Sequence, residues 1–164
     1  MTVLVAYASK HGSTAEVAEG ITDALVDRHV AVELLAATDV RDVGRYDAVI
    51  VGSAVYYGRW LAAAHGLLVQ HRQELLAKPV WVFSVGRIPQ RPEIDIAAPQ
   101  VVWLLATSGA REHQSFAGRL TPAGLDWRER SAVRVVRAPY GDYLDWPQIV
   151  AWAEGIADEL VASR

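Results

Sequence analysis

A cluster of hydroxyl-bearing and basic residues follows the first apolar run of the chain, and its residue types suit the binding of a phosphate group. The cluster consists of Ser9, Lys10, His11, Gly12, Ser13 and Thr14. The apolar residues 3–7 before it predict a buried strand, and the apolar periodicity of residues 15–26 predicts a helix. A helix start presents backbone N–H groups without partners and carries partial positive charge, which favours anions. The alternative is an ordinary capped helix start, with Ser13 or Thr14 as the N-cap and nothing bound.

Two common phosphate-binding motifs are absent from the sequence. The G-x-x-x-x-G-K-[ST] loop is excluded because Lys10 precedes Gly12 instead of following a second glycine. No G-x-G-x-x-G follows a predicted strand, so a Rossmann dinucleotide site has no support. The hydroxyl-rich cluster therefore indicates a mononucleotide or a simpler phosphate.

A second segment combines three aromatic residues with a glycine. It consists of Ala54, Val55, Tyr56, Tyr57, Gly58, Arg59 and Trp60. Aromatic faces and backbone donors of this kind suit a planar heteroaromatic ligand. The alternative is that the three aromatic side chains pack the following helix onto the sheet.

Strand and helix patterns alternate along the chain. Strands are predicted at residues 3–7, 31–35, 46–53, 80–85 and 112–120, and helices at residues 14–28, 61–77 and 96–108. A last helix is expected to begin at a capping box formed by Asp145 and Gln148 and to run toward Val161. Such alternation predicts an α/β fold with a parallel sheet covered on both faces. Ligands of these sheets bind beyond the carboxyl ends of the strands, so the loops at 9–14, 54–60 and 85–91 should meet.

Length and composition narrow the classes of protein. The 164 residues predict a single domain spanning 1–164, and a net charge of −3 favours neither nucleic acid nor an anionic membrane as a partner. Cysteine is absent, the five histidines lack metal-ligand spacing, and residue 1 is followed directly by a strand pattern instead of a signal peptide. We therefore expect a cytoplasmic protein without a metal site or a catalytic Ser-His-Asp group.

The first cluster resembles the flavodoxin signature. The matching residues are Tyr7, Ser9, Gly12, Thr14, Ala18 and Ile21. The resemblance implies a flavodoxin-like three-layer sandwich, with a five-stranded parallel sheet of order 2-1-3-4-5, and FMN as the cofactor. It implies no catalytic side chain, because the flavin carries the electrons.

Three further segments resemble the flavodoxin-type protoporphyrinogen oxidases, which are menaquinone-dependent FMN proteins. The segments are residues 46–59, 113–120 and 141–146, and the similarity extends over essentially the whole chain. The resemblance implies that residues 9–14 hold the FMN phosphate. It implies that the isoalloxazine lies between Ala54, Val55, Tyr56, Tyr57 and Gly58 on one side and Ser84, Val85, Gly86 and Arg87 on the other.

Residues 121–140 stand where that oxidase branch carries a helical insertion. If the segment is helical, one face carries Trp127, Arg130, Arg134 and Arg137. These arginines suit substrate carboxylates or an acidic partner, although a solvated helix face explains the same residues more simply. The alternation of Val133, Arg134 and Val135 also fits a strand.

Three function classes follow from these observations. The first is an FMN-dependent oxidoreductase that passes electrons between a reduced small molecule, such as protoporphyrinogen IX, and a quinone, with peripheral membrane contact for access to the quinone. The second is a one-electron carrier between redox proteins, and the third is a flavin-free binding module. Arg59, Arg87 and Arg91 near the expected flavin disfavour a carrier, which typically presents an acidic docking face. Gly58 would permit the Tyr57–Gly58 peptide to flip toward a protonated flavin N5.

Overall fold

A parallel sheet forms the centre of the computed structural model, which describes residues 1–87, 98–136 and 140–163. The strands are β1 (Thr2–Ala8), β2 (Ala31–Ala36), β3 (Ala48–Tyr56), β4 (Arg59–Trp60), β5 (Val80–Arg87), β6 (Glu112–Ala117), β7 (Arg119–Leu120) and β8 (Gly141–Asp142). The sheet order is β2-β1-β3-β5-β6, with neighbouring strands parallel. This is the predicted order 2-1-3-4-5, counted without the short β4. The fold-class prediction is therefore confirmed.

Helices cover both faces of the sheet. They are α1 (Ser13–Asp27), α2 (Ala62–Gln70), α3 (Arg72–Leu76), α4 (Ala98–Ser108), α5 (Trp127–Val136) and α6 (Trp146–Ala162), with a 3₁₀ turn at Ala37–Asp39. One apolar core joins the sheet to α1 and α6, and a second joins it to α2, α3 and α4. Half of the predicted capping box of α6 is present: the backbone N–H of Gln148 donates to the Asp145 carboxylate at 3.1 Å, whereas Oε1 of Gln148 has no hydrogen-bond partner among the described residues.

The central strand β3 is buried on both faces from Ala48 to Val55, as its continuous apolar sequence predicts. Ile50 contributes to the core under α1 and α6, and its neighbour Val51 contributes to the opposite core. A Cβ placed on Gly52 would lie 2.0 Å from Cζ of Phe83, so the Phe83 ring lies directly against this backbone. The glycine is therefore required by packing.

Three predicted boundaries differ from the structure. The N-cap of α1 is Gly12, whereas the capped-start alternative placed it at Ser13 or Thr14. Gly12 has a φ of 93°, a backbone conformation that favours glycine. The expected helix 61–77 breaks at the buried His71, and the expected strand 112–120 breaks at Gly118, after which β7 pairs antiparallel with β8. The predicted helix start at residue 96, together with Arg91 and Arg137, lies outside the described residues.

Replacing Gly52 with alanine should lower the free energy of unfolding by roughly 1–3 kcal/mol, because the added methyl group must displace the Phe83 ring. Urea unfolding followed by circular dichroism measures the change. The matched control is Gly155→Ala in α6, where a Cβ meets no atom within 4 Å. That substitution should stabilise the protein by about 0.5–1 kcal/mol, since alanine is the better helix former. Equal effects at the two glycines would contradict the packing argument.

Candidate functional site

The loop between β1 and α1 forms an open cradle at the start of a helix. Gly12 occupies the N-cap position without a side-chain cap, and its N–H donates to Oγ of Ser9 at 3.1 Å. The first backbone bond of the helix runs from the N–H of Glu16 to the carbonyl of Gly12 at 3.1 Å. The N–H groups before Glu16 therefore have no partner within the helix. A Cβ on Gly12 would meet no atom within 4 Å, so space is open beside these donors.

The Thr14 side chain gives independent evidence for an anion at this cradle. Thr14 is 1% exposed, and its Oγ1 has no hydrogen-bond partner in the part of the chain that the structure describes. A buried hydroxyl without a partner is unfavourable, and a phosphate oxygen would supply the missing bond. The residues present therefore fit the phosphate group of FMN.

The aromatic segment forms a tight hairpin between β3 and β4. Val55 pairs with Trp60 and Tyr56 pairs with Arg59, which leaves Tyr57 and Gly58 as the two turn residues. Both have positive φ, at 50° and 74°, as a type I′ turn requires. The Tyr57 side chain is 70% exposed at the tip of this hairpin.

Trp60 does not join the other two aromatic residues. Its side chain is 5% exposed, and its Nε1–H donates to Oγ of Ser84 at 2.8 Å. The packing interpretation of the aromatic segment is therefore right for Trp60. The same bond engages Ser84, whose Oγ also lies 2.8 Å from Nε2 of His113.

A cavity of about 250 Å³ lies between the two loops. It is lined by nine of the predicted site residues, namely His11, Ser13, Ala54, Val55, Tyr56, Tyr57, Gly58, Val85 and Gly86. Four other predicted residues, Ser9, Lys10, Gly12 and Thr14, belong to the cradle beside it. The prediction that Ser84 borders the ligand is corrected by the structure. Ser84 does not line the cavity, because alternation along β5 directs its side chain to the opposite face of the sheet from Val85. The side chain of Arg87 is not part of the described structure.

A bulge in β5 shapes one wall of this cavity. The pairing of β5 with β6 shifts register between Val85 and Arg87, which leaves Gly86 as the extra residue, with a φ of 150°. A bulge leaves the backbone groups of its extra residue unpaired and re-aims its neighbours. Gly86 can therefore present its backbone closely to a ligand.

The inserted segment 121–140 and the residues of β7 and β8 that flank it supply the remaining wall, which the sequence analysis did not assign. The additional lining residues are Gly118, Arg119, Leu120, Leu125, Glu129, Ala132, Val133 and Tyr143. The segment between β7 and β8 contains the helix α5, so its helical interpretation is right and its strand interpretation is wrong. The buried face of α5 carries Glu129, Ala132 and Val133 toward the cavity.

Arg119 anchors the base of this insertion. Its guanidinium donates to both carboxylate oxygens of Glu16 on α1, at 2.8 and 2.9 Å, and to Asp142 on β8 at 3.0 Å. These bonds raise the pKa of Arg119, with the Glu16 bond the largest cause. The hairpin of β7 and β8 is thereby fixed to the start of α1.

Glu129 connects the tip of the insertion to the phosphate cradle. One carboxylate oxygen accepts hydrogen bonds from Nζ of Lys10 and, at 3.2 Å, from Nε2 of His11. The other accepts from the N–H of Asp126 at 2.8 Å, and the N–H of Glu129 returns a bond to Asp126 at 2.8 Å. This reciprocal pair is a capping box for α5, and the D-x-x-E spacing is the sequence signal that could have indicated it.

The surroundings of Glu129 shift the pKa values of two side chains. Burial acts to raise the pKa of Glu129, but the hydrogen bonds from Lys10, Asp126 and His11 outweigh it and lower the value to about 2. Tyr56 lies beneath the Lys10 ammonium, which is 5.1 Å from its ring centroid. Burial, followed by the Glu129 charge, raises the pKa of Tyr56 to about 12. At neutral pH the site therefore contains an ionised Glu129 and a protonated Tyr56.

The arginines of α5 point away from the cavity. Arg130 and Arg134 are exposed, and Trp127 is 73% exposed on the same side. These arginines therefore belong to a solvated helix face, and they cannot receive a substrate carboxylate inside this cavity. Across the described residues no group of three or more His, Cys, Asp or Glu side chains is arranged to hold a metal ion. The described helices include none with the length and apolar character needed to span a membrane.

Comparisons with known proteins agree with this geometry. The family model described as flavodoxin domain matches residues 4–145. The protoporphyrinogen IX dehydrogenase [quinone] of Escherichia coli K12 is 24% identical over 180 residues, covering 96% of this chain and 95% of that protein.

Two solved flavodoxins share the fold over nearly their whole length. The Streptococcus pneumoniae TIGR4 flavodoxin superposes with a TM-score of 0.64 at 18% identity, covering 100% of both chains. Flavodoxin 2 of Bacillus cereus superposes with a TM-score of 0.65 at 21% identity, covering 97% of this chain and 99% of that one. The chain therefore belongs to the flavodoxin domain family, and FMN is the cofactor that this membership indicates.

Proposed function

We propose that this protein is an FMN-dependent oxidoreductase that passes electrons between a reduced small molecule and a quinone, with protoporphyrinogen IX as a candidate substrate. The observation that carries the proposal is the apolar cavity beside the Tyr57 hairpin, walled by the insertion. Leu125, Ala132 and Val133 give this wall a surface suited to a hydrophobic ring. The quinone named for the E. coli relative supports the same class of substrate.

The cradle and the hairpin have separate roles in this proposal. The Thr14 hydroxyl and the first N–H groups of α1 hold the phosphate of FMN, and the Val55–Gly58 and Val85–Gly86 backbones border the ring. When bound, FMN supplies the electron transfer itself. Tyr56 stays protonated at neutral pH because its pKa is raised to about 12, so it can donate a hydrogen bond but does not serve as a base.

Access to a membrane quinone would involve the outward face of α5. Trp127 and Val135 are 73% and 82% exposed, and Arg128, Arg130 and Arg134 are exposed beside them. Aromatic, aliphatic and cationic side chains on one helix face suit the interface of an anionic bilayer. We include this contact in the proposal as the route by which a lipid-soluble quinone reaches the cavity.

The substitution Thr14→Val should weaken FMN binding by roughly 1–3 kcal/mol, because a phosphate oxygen loses its hydroxyl partner while the shape is kept. Riboflavin has no phosphate, and its affinity should change much less. Fluorescence titration with both flavins measures the difference. The control is Thr22→Val in the same helix, where the hydroxyl donates to the Ala18 carbonyl at 2.8 Å and lies outside the cradle. Equal losses for FMN and riboflavin would show that Thr14 acts on the fold.

Quinone turnover distinguishes the enzyme from a carrier. The purified protein should bind FMN, and after anaerobic reduction it should be re-oxidised by a soluble naphthoquinone in a saturable reaction. Val133→Asp places a charge in the cavity wall and should lower kcat/KM for the quinone about tenfold. The same change at the exposed Val135 should leave kcat/KM unaltered. A carrier is indicated instead if one-electron reduction is stable and no quinone turns over.

Vesicle binding tests the membrane contact, and here Val135→Asp is the substitution expected to have an effect. Val135→Asp should reduce sedimentation with vesicles of anionic phospholipid about threefold. The substitution removes an apolar contact and adds a negative charge that the anionic headgroups repel. Val102→Asp is the matched control, since Val102 is 79% exposed on α4 and Val135 is 82% exposed on α5. If both substitutions reduce sedimentation equally, or if the wild-type protein does not bind, the α5 contact is wrong.

A further inference from the structure

We propose that Glu129 is a positioning residue that latches the insertion helix α5 onto the phosphate cradle and keeps the cofactor cavity closed along that side. The inference rests on the proposed flavin site, and it assigns a role to a carboxylate that the proposed chemistry does not use. Glu129 is 6% exposed and lines the cavity, but the proposed function assigns it no electron or proton to transfer. Its partners are instead two side chains of the neighbouring loop.

The contacts of Glu129 reach across the cavity from one wall to the other. Lys10 and His11 both bond to the same carboxylate oxygen, although they lie more than a hundred residues away in the chain. The same two side chains also contact Tyr56: Nζ of Lys10 lies 5.1 Å from its ring centroid, and the His11 ring packs edge-on at 5.8 Å. One cluster therefore joins the insertion, the cradle and the aromatic hairpin.

The Glu129 carboxylate is also held by the start of its own helix. Its second oxygen accepts the Asp126 N–H, and its own N–H bonds to Asp126, so the capping box fixes the side chain at the first turn of α5. One turn later, Ala132 and Val133 line the cavity. A shift of Glu129 must therefore shift this wall, since one rigid helix carries all three.

The insertion is attached at two separate points. Arg119 fixes its base through Glu16 and Asp142, and Glu129 fixes its tip through Lys10 and His11. Among the described residues, the hydrogen bonds and ion pairs between α5 and the cradle all end on Glu129. Loss of this one contact would release the tip while the base stays in place.

A competing interpretation treats Glu129 as an internal rival of the phosphate for Lys10 and His11. The geometry favours the latch, because both Glu129 carboxylate oxygens already have partners, whereas Thr14 Oγ1 has none in the described part of the chain. The phosphate can bind to Thr14 and the α1 N–H groups without displacing Glu129. The two interpretations predict opposite effects on flavin binding.

Glu129→Gln is the decisive variant, because glutamine keeps an acceptor for the capping box and removes the charge. The latch predicts that FMN and riboflavin both dissociate roughly tenfold faster, measured by the recovery of flavin fluorescence after rapid dilution. Tighter FMN binding with unchanged riboflavin would establish competition and overturn the latch. Unchanged dissociation of both flavins would overturn it as well.

Two further variants keep this test specific. Lys10→Met breaks the pair from the cradle side and should accelerate dissociation similarly, and combining it with Glu129→Gln should add little. Glu154→Gln is the control, because it removes a carboxylate that is 42% exposed and paired with Arg28 at 3.1 Å, on a helix that does not line the cavity. An equal effect of Glu154→Gln would show that the response is not specific to the latch.

The pH dependence of stability provides a readout of the charge itself. The groups that face the Glu129 carboxylate are Lys10, His11, Tyr56 and Asp126. The pKa of Glu129 is lowered from 4.5 to about 2 in the folded protein. The Glu129 charge therefore stabilises the fold fully at a pH above 4.5, and this stabilisation is lost as the pH falls to about 2. The advantage of wild type over Glu129→Gln in unfolding free energy should therefore be full above pH 5 and shrink toward pH 2. A constant difference contradicts the ion-pair latch.

Hydrogen exchange tests the latch without any flavin. In the flavin-free protein, amides of residues 125–136 should exchange roughly tenfold faster in Glu129→Gln than in wild type, while those of β7 and β8 change little. If no flavin binds to either protein, the proposed function fails and this exchange difference still decides the latch. Equal exchange in both proteins would overturn it.

Discussion

An α-helix begins with backbone N–H groups that its own carbonyls cannot reach, and the site of this protein is organised around those of α1. The parallel sheet places this helix start at the carboxyl edge of β1, where the loops after β3 and β5 also end. Gly12 turns the chain there with a φ of 93° and leaves the space beside it open. The buried Thr14 hydroxyl adds one more donor, which has no partner among the described residues. An anion bound at this point satisfies groups that the fold itself leaves unsatisfied.

The basic residues of the cradle have a carboxylate partner within the protein. Lys10 and His11 bond to Glu129, so their charge is matched by a buried carboxylate from the insertion. A phosphate would then be held by neutral donors and the helix start, which need no counter-charge. The paired cations remain useful as the surface on which α5 is seated. In the proposed site, different atoms of one loop would bind the cofactor and hold the cavity wall.

Sequence patterns predicted the elements whose burial is uniform and missed those decided by local geometry. The continuous apolar run of β3 needs both faces covered, and this requirement fixes a central parallel strand. The resemblance placed Ser84 beside the ring, but Ser84 lies within β5, where strand alternation directs its side chain toward Trp60 and away from the cavity. The bulge at Gly86 has no equivalent in an apolar pattern, since it arises from the register with β6. In the insertion, the Val-Arg-Val alternation obscured a helix whose buried face is defined by Glu129, Ala132 and Val133.

The hairpin turn bears on the choice between enzyme and carrier. Tyr57 and Gly58 both have positive φ, so the turn is type I′, and flipping their peptide would convert it to type II′. A type II′ turn normally has glycine at its first central position, because that backbone region is outside the one open to a side chain such as tyrosine. The expectation that Gly58 alone makes the peptide free to flip was therefore incomplete: Tyr57 opposes it. If the flavin ring binds as proposed, a hairpin held in one state would give it a fixed border, which supports the proposed transfer of electrons to a small molecule.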